Sequence, residues 1–169
     1  MRTLFLLRHA KARRESEGGD RERGLHRKGQ RQGAALAAYL AKLGRPVDRI
    51  LCSPARRTRE TLELIRPALS GRRDLRFADE LYLAAPESLL RLVRDTDAAV
   101  RTLMVVGHND GLHQFALALA DGERLTQLAR FPTGALAVLD VDIDSWHELT
   151  PGRGHLVAAI DPDELVGAA

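Results

Sequence analysis

Residues 3–9 read TLFLLRH: an apolar run from Leu4 to Leu7 that stops on Arg8 and His9. The run predicts a buried strand, the kind that fills a sheet covered on both faces. The rest of the chain repeats the theme. Leucine-rich and β-branched runs bounded by turn residues predict strands at 2–8, 48–52, 74–78, 101–107 and 134–142, with weaker ones near 145–149 and 154–160. Helical spacing fills the gaps: 28–43 with Leu36, Leu40 and Leu43 on one face, 55–69 with Leu62, Ile65 and Leu69, 86–95 opening on Pro86, and 111–120 ending at Asp121-Gly122. Strands alternating with helices predict an α/β fold: three layers around a mostly parallel sheet, with an antiparallel edge where 134–142 runs into 145–149.

At 169 residues and 44% apolar content the chain predicts one domain, 1–169, able to bury a core without disulfides. The single cysteine, Cys52, and the lack of a long apolar leader or span predict a reducing, cytoplasmic setting with no membrane partner. Arginine outnumbers lysine by 23 to 3. A planar guanidinium recognises phosphate by paired hydrogen bonds, so the excess suits a phosphate site. Nucleic-acid binding is not expected, because aromatics make up only 4% of residues and the charges are spread along the chain. Nothing in the pattern sets an oligomeric state.

Ligands of open parallel sheets bind beyond the carboxyl ends of the strands. Arg8-His9 follows the first strand, Cys52-Ser53-Pro54-Ala55-Arg56-Arg57 the second, and Gly107-His108-Asn109-Asp110 the fourth. Three strand ends thus bring two arginines and two histidines to one edge, near helix N-termini, a setting for a phosphoryl group. His26, His113, His147 and His155 have no such placement and read as structural. No Gly-Lys-Ser/Thr loop is present, so P-loop chemistry is not expected. Arg57 stands one place too early for a cysteine-dependent phosphatase built on Cys52, which reads instead as a small buried residue. No tight cluster of metal ligands appears, and a histidine nucleophile remains.

Leu7-Arg8-His9-Ala10 resembles the Arg-His-Gly signature of the histidine phosphatase superfamily, whose fold is phosphoglycerate mutase-like. Ser53 to Thr61 resembles its second motif, with Arg57 at the arginine's place, and Val106-Gly107-His108-Asn109 its third. Asp20 to Leu25 with Gly29, and Phe131 to Ala135, resemble the short bacterial branch typified by the phosphohistidine phosphatase SixA. Ala10 departs from the usual glycine and is expected to put a methyl group near the phosphate pocket.

The resemblance implies that His9 attacks phosphorus and forms a transient phosphohistidine, while Arg8, Arg57 and His108 hold the phosphoryl oxygens. Glu80 is the counterpart by position of the acid that many members use, with a solvated loop carboxylate as the equal alternative. Arg23, on the long 10–27 loop, is a further candidate phosphate contact. No metal or organic cofactor is implied. The expected substrate is a phosphohistidine protein; a small-molecule or phosphoserine/threonine phosphomonoesterase, or a silent phosphate-binding module, are the alternatives.

Overall fold

Along the first strand Leu4 and Leu6 face one side and Phe5 and Leu7 the other, and all four are fully buried. The computed structural model describes residues 1–168, and among them six strands form one sheet. They are β1 (Arg2–Arg8), β2 (Arg49–Cys52), β3 (Asp74–Phe77), β4 (Thr102–Gly107), β5 (Leu136–Val141) and β6 (Gly154–Ile160). The order is β3-β2-β4-β1-β5-β6. β1 runs parallel to β4 and antiparallel to β5, which puts it inside the sheet rather than at an edge.

Helices α1 (Arg27–Leu43) and α2 (Arg56–Ile65) cover the Phe5 and Leu7 face through Leu36, Leu40, Leu62 and Ile65. Helices α3 (Pro86–Arg94) and α4 (Gly111–Leu119) cover the other through Leu89, Val93, Leu112 and Phe115. The result is the three-layer α/β/α arrangement. Each fully buried leucine in these faces contributes about 2 kcal/mol from area removed from water. α1 starts where the His26 ring accepts from the Lys28 N–H, which gives that histidine a capping role. It stops at Gly44, whose φ of 66° suits glycine.

Three expectations need correction. Residues 145–149 are not a strand: Ser145 and Glu148 form a reciprocal capping box around a short 3-10 turn, and Trp146 is buried with its indole N–H on the Val100 carbonyl at 2.6 Å. The antiparallel partner of β5 is therefore β6, and β5 itself is the inverted strand. The helix expected to 69 ends at Ile65, because Pro67 turns the chain into a 3-10 segment, Arg66–Ala68. A further helix, α5 (Pro162–Ala168), packs on α1 through Asp163, which receives Gln32 at 3.0 Å and Lys28 at 3.2 Å. Among the described residues no helix is long and apolar enough to cross a membrane.

Candidate active site

The C-terminal ends of β1, β4 and β2 lie side by side, and each hands the chain to a polar residue. His9 follows β1 and its backbone is held from both sides. Its N–H donates to the Gly107 carbonyl at 3.1 Å, and its own carbonyl accepts from the Gly134 N–H at 2.8 Å. The ring is fixed by Nδ1, 2.8 Å from the Ala10 carbonyl oxygen. A carbonyl only accepts, so Nδ1 carries the proton and Nε2 keeps its lone pair. Burial first, then the charges of Arg57, Arg8 and Arg23, lower the ring's pKa to about 4 against the opposing pull of the Ala10 bond. His9 is therefore neutral at neutral pH, with one nitrogen free.

Arg57 rises from the first turn of α2 and is almost sealed, with its side chain 2% exposed. Its Nη1 donates to the Asp20 backbone carbonyl at 2.8 Å and its Nη2 to Asp20 Oδ2 at 3.1 Å. Nη2 also lies 3.4 Å from His108 Nδ1. A guanidinium only donates, so His108 Nδ1 accepts and its Nε2–H points to Ser53 Oγ, 2.8 Å away. Burial, then the neighbouring His9 and Arg57, lower the His108 pKa to about 3. The two imidazoles stand 5.4 Å apart, centre to centre.

Arg8 donates through Nη1 to the Phe131 carbonyl at 3.1 Å, and Asn109 Nδ2 reaches the same oxygen at 2.8 Å. Arg23 comes from the 10–27 loop, its Nε on Asp20 Oδ1 at 2.9 Å. Together Arg8, His9, Arg23, Arg57 and His108 line one open cleft of about 470 Å³. Five of the six residues expected at the site are thus brought together. Glu80 is not: it is exposed on the 3-10 turn Asp79–Leu81 and lies outside the cleft lining. Tyr82, two residues further on, points inward in its place. Ala10 is likewise not part of the lining; its methyl is fully buried, its N–H donates to Thr61 Oγ1 at 3.0 Å, and its carbonyl orients His9.

Sequence reasoning gave no role to Asp20, Tyr82 or Ser53. Among the described residues Asp20 is the one carboxylate lining the cleft, and its Oδ2 takes the Tyr82 hydroxyl as well as Arg57. The Tyr82 hydrogen bond, followed by those from Arg23 and Arg57, holds the Asp20 carboxyl well below the usual range. The signal for it was the Gly18-Gly19-Asp20 turn inside the long basic loop. Cys52 is buried, its thiol pushed up to about 12 by desolvation, which makes it a poor nucleophile. His113 is held by packing outside the cleft lining, its Nε2 2.6 Å from the Leu128 carbonyl and its ring stacked on Phe131. Among the described residues no three His, Cys, Asp or Glu side chains are grouped to hold a metal ion. The cleft offers a neutral nitrogen nucleophile ringed by guanidinium donors, which is suited to a tetrahedral oxyanion.

A family model described as the histidine phosphatase superfamily (branch 1) matches residues 4–82. An uncharacterized protein of Mycobacterium tuberculosis is 33% identical over 162 residues, covering 89% of this chain and 96% of its own. Among solved structures, a candidate phosphohistidine phosphatase SixA from Agrobacterium tumefaciens is 33% identical with a TM-score of 0.80, covering 95% of this chain and 98% of that one. Another, from Nakamurella multipartitia, is 30% identical with a TM-score of 0.83, covering 95% and 96%.

Proposed function

The chain belongs to the histidine phosphatase superfamily, in its SixA-like branch, and is a phosphatase; from that premise we propose that it removes phosphoryl groups from phosphohistidine in a partner protein, with His9 Nε2 as the nucleophile. The observation that carries the mechanism is the state of His9: buried, neutral, and with Nδ1 tied to Ala10 so that Nε2 alone is free to attack. Arg8, Arg23 and Arg57 offset the charge on the phosphoryl oxygens as it spreads in the transition state. His108 rests neutral with Nδ1 on Arg57, and an arriving dianion raises its proton affinity so that it donates to the same group. These residues act within one domain, 1–169.

In the first step the Nε2 lone pair forms a bond to phosphorus and the substrate's P–N bond breaks. The leaving imidazole keeps that electron pair and, with its distal nitrogen protonated, departs neutral. Water then attacks phosphorus, the P–Nε2 bond returns its electrons to His9, and the proton leaves with inorganic phosphate. The cleft's carboxyl chemistry favours this substrate class. Asp20 is held ionised and Glu80 stands outside the lining, so no carboxylic acid is on hand to protonate an alkoxide. An imidazole leaving a phosphoramidate needs none. The names of the Agrobacterium and Nakamurella structures point the same way.

Phosphate release by wild type and His9→Ala, from a phosphohistidine protein and from an aryl phosphate, tests the reading. Wild type is expected to turn over both, phosphohistidine faster, and His9→Ala neither. Turnover of aryl phosphate alone would move the substrate to phosphate esters. Undiminished turnover by His9→Ala would remove the proposed nucleophile.

A further inference from the structure

The electropositive centre of the cleft already holds an anion, and it belongs to the chain. Both oxygens of the Asp20 carboxylate are engaged: Oδ1 accepts from Arg23 Nε at 2.9 Å, and Oδ2 accepts from Arg57 Nη2 at 3.1 Å and from the Tyr82 hydroxyl. Two guanidiniums and a phenol around two oxygens is the donor set that a phosphoryl group would require. A dianion seated on Arg57 and Arg23 would meet the Asp20 charge at hydrogen-bond range, an unfavourable pairing even in a cleft open to solvent.

Asp20 is also placed to give way. Its side chain is 46% exposed, and it opens a single 3-10 turn directly after Gly18-Gly19, where Gly19 has a φ of 90°. The loop is pinned below by the Ala12–Leu25 bridge and the Arg13 N–H on the Gly24 carbonyl at 2.9 Å. The carboxylate can therefore swing into solvent without unpinning the loop. Arg57 still has the Asp20 backbone carbonyl and His108 to orient it.

We infer that Asp20 is an internal competitor for the phosphoryl position, which weakens the hold of Arg57 and Arg23 on free inorganic phosphate. The inference rests on the reading of this cleft as the phosphoryl site. Free phosphate must displace the carboxylate with nothing else to offset that cost. A phosphoryl group carried on a protein brings further contacts outside the cleft, so Asp20 tilts the site toward the protein-borne substrate and helps to expel the product.

The test is calorimetric titration of wild type, Asp20→Asn and Asp20→Ser with inorganic phosphate, with binding located by the shift of the His9 ring resonances and folding checked by thermal melting. Loss of a charge-assisted competitor is expected to tighten phosphate binding about tenfold or more in both variants. Product inhibition should deepen in parallel. Equal or weaker binding in the folded variants would overturn the competition and make Asp20 a positioning residue for Arg57, leaving the cleft assignment intact. Phosphate that leaves the His9 resonances unmoved in all three proteins would overturn the phosphoryl reading itself.

Discussion

Acidification from pH 7 to pH 5 should cost this protein much of its stability while leaving His9, the proposed nucleophile, neutral. Burial lowers the pKa of His9 to about 4 and of His108 to about 3, from an ordinary value of 6.5. In this window the unfolded chain takes up a proton at each ring and the folded one does not. Stability is therefore full above about pH 6.5 and falls with pH until the folded rings titrate. The loss between pH 7 and pH 5 is about 2 kcal/mol per histidine, about 4 kcal/mol for the pair, a large part of the ~5–15 kcal/mol typical of a domain. Asp20 and Asp163, whose proton affinity is lowered on folding, act only as pH falls through and below their ordinary 3.8, so the window isolates the imidazoles. Urea denaturation of wild type, His9→Asn and His108→Asn at pH 7, 6 and 5 reads the effect. Each variant should lose less of its stability across the range, by about 2 kcal/mol, or roughly 1 M in urea midpoint. With an aryl phosphate whose own ionisation has been divided out, kcat/KM should stay level to pH 5 and drop near pH 4. A wild type whose stability slope matches that of His9→Asn would refute the claim that His9 is buried neutral.

Arg57→Lys replaces a fork that reaches Asp20 and His108 at once with a single ammonium, and kcat/KM should fall roughly a hundredfold or more with little change in melting temperature. Glu80→Gln should leave phosphate release within about twofold of wild type, since the side chain stands outside the cleft; a large loss in kcat with aryl phosphate would restore it as an acid. Trp146→Phe removes the indole hydrogen bond to Val100 at the opposite edge of the sheet, and should cost about 2 kcal/mol in denaturant unfolding without changing kcat. The Val100 carbonyl still accepts from Arg2 Nη1 at 2.7 Å, which limits the loss.

The layers of this fold were legible where one pattern had one reading. The alternating buried faces of Leu4 to Leu7 demand helices on both sides, and α1 carries its leucines and its Gly44 stop openly. The segment 145–149 misled because its apolar residues, Trp146 and Leu149, are spaced by a turn whose cap comes from side chains. Ser145 and Glu148 spell that capping box, and it outranks the β-propensity of tryptophan. α5 was equally written in Asp161-Pro162-Asp163-Glu164, where Asp161 Oδ1 accepts from the Asp163 N–H at 2.9 Å and proline opens the first turn. A short helix with few apolar residues has too little periodicity to stand out, and its packing is settled by Gln32 and Lys28, far away in sequence.

At the site the sequence supplies what strand ends deliver and, Arg23 apart, withholds what loops deliver. His9 and His108 leave adjacent strands at fixed registers, and Arg57 opens the helix that follows the next strand, β2, so topology alone gathers them. Asp20 and Tyr82 reach the same cleft from a long loop and from beyond a 3-10 turn, and no register predicts where such segments cross. Glu80 illustrates the difference: one residue before the buried Leu81 and two before the inward Tyr82, it falls on the exposed side of the turn, and a shift of that size decides whether a carboxyl group can serve the chemistry. With Glu80 outside and Asp20 ionised, the cleft has strong means to hold a phosphoryl group and to attack it, and weak means to protonate what leaves. On that imbalance, more than on the arginines or the nucleophile, rests the proposal that a phosphoramidate rather than an ester is the substrate.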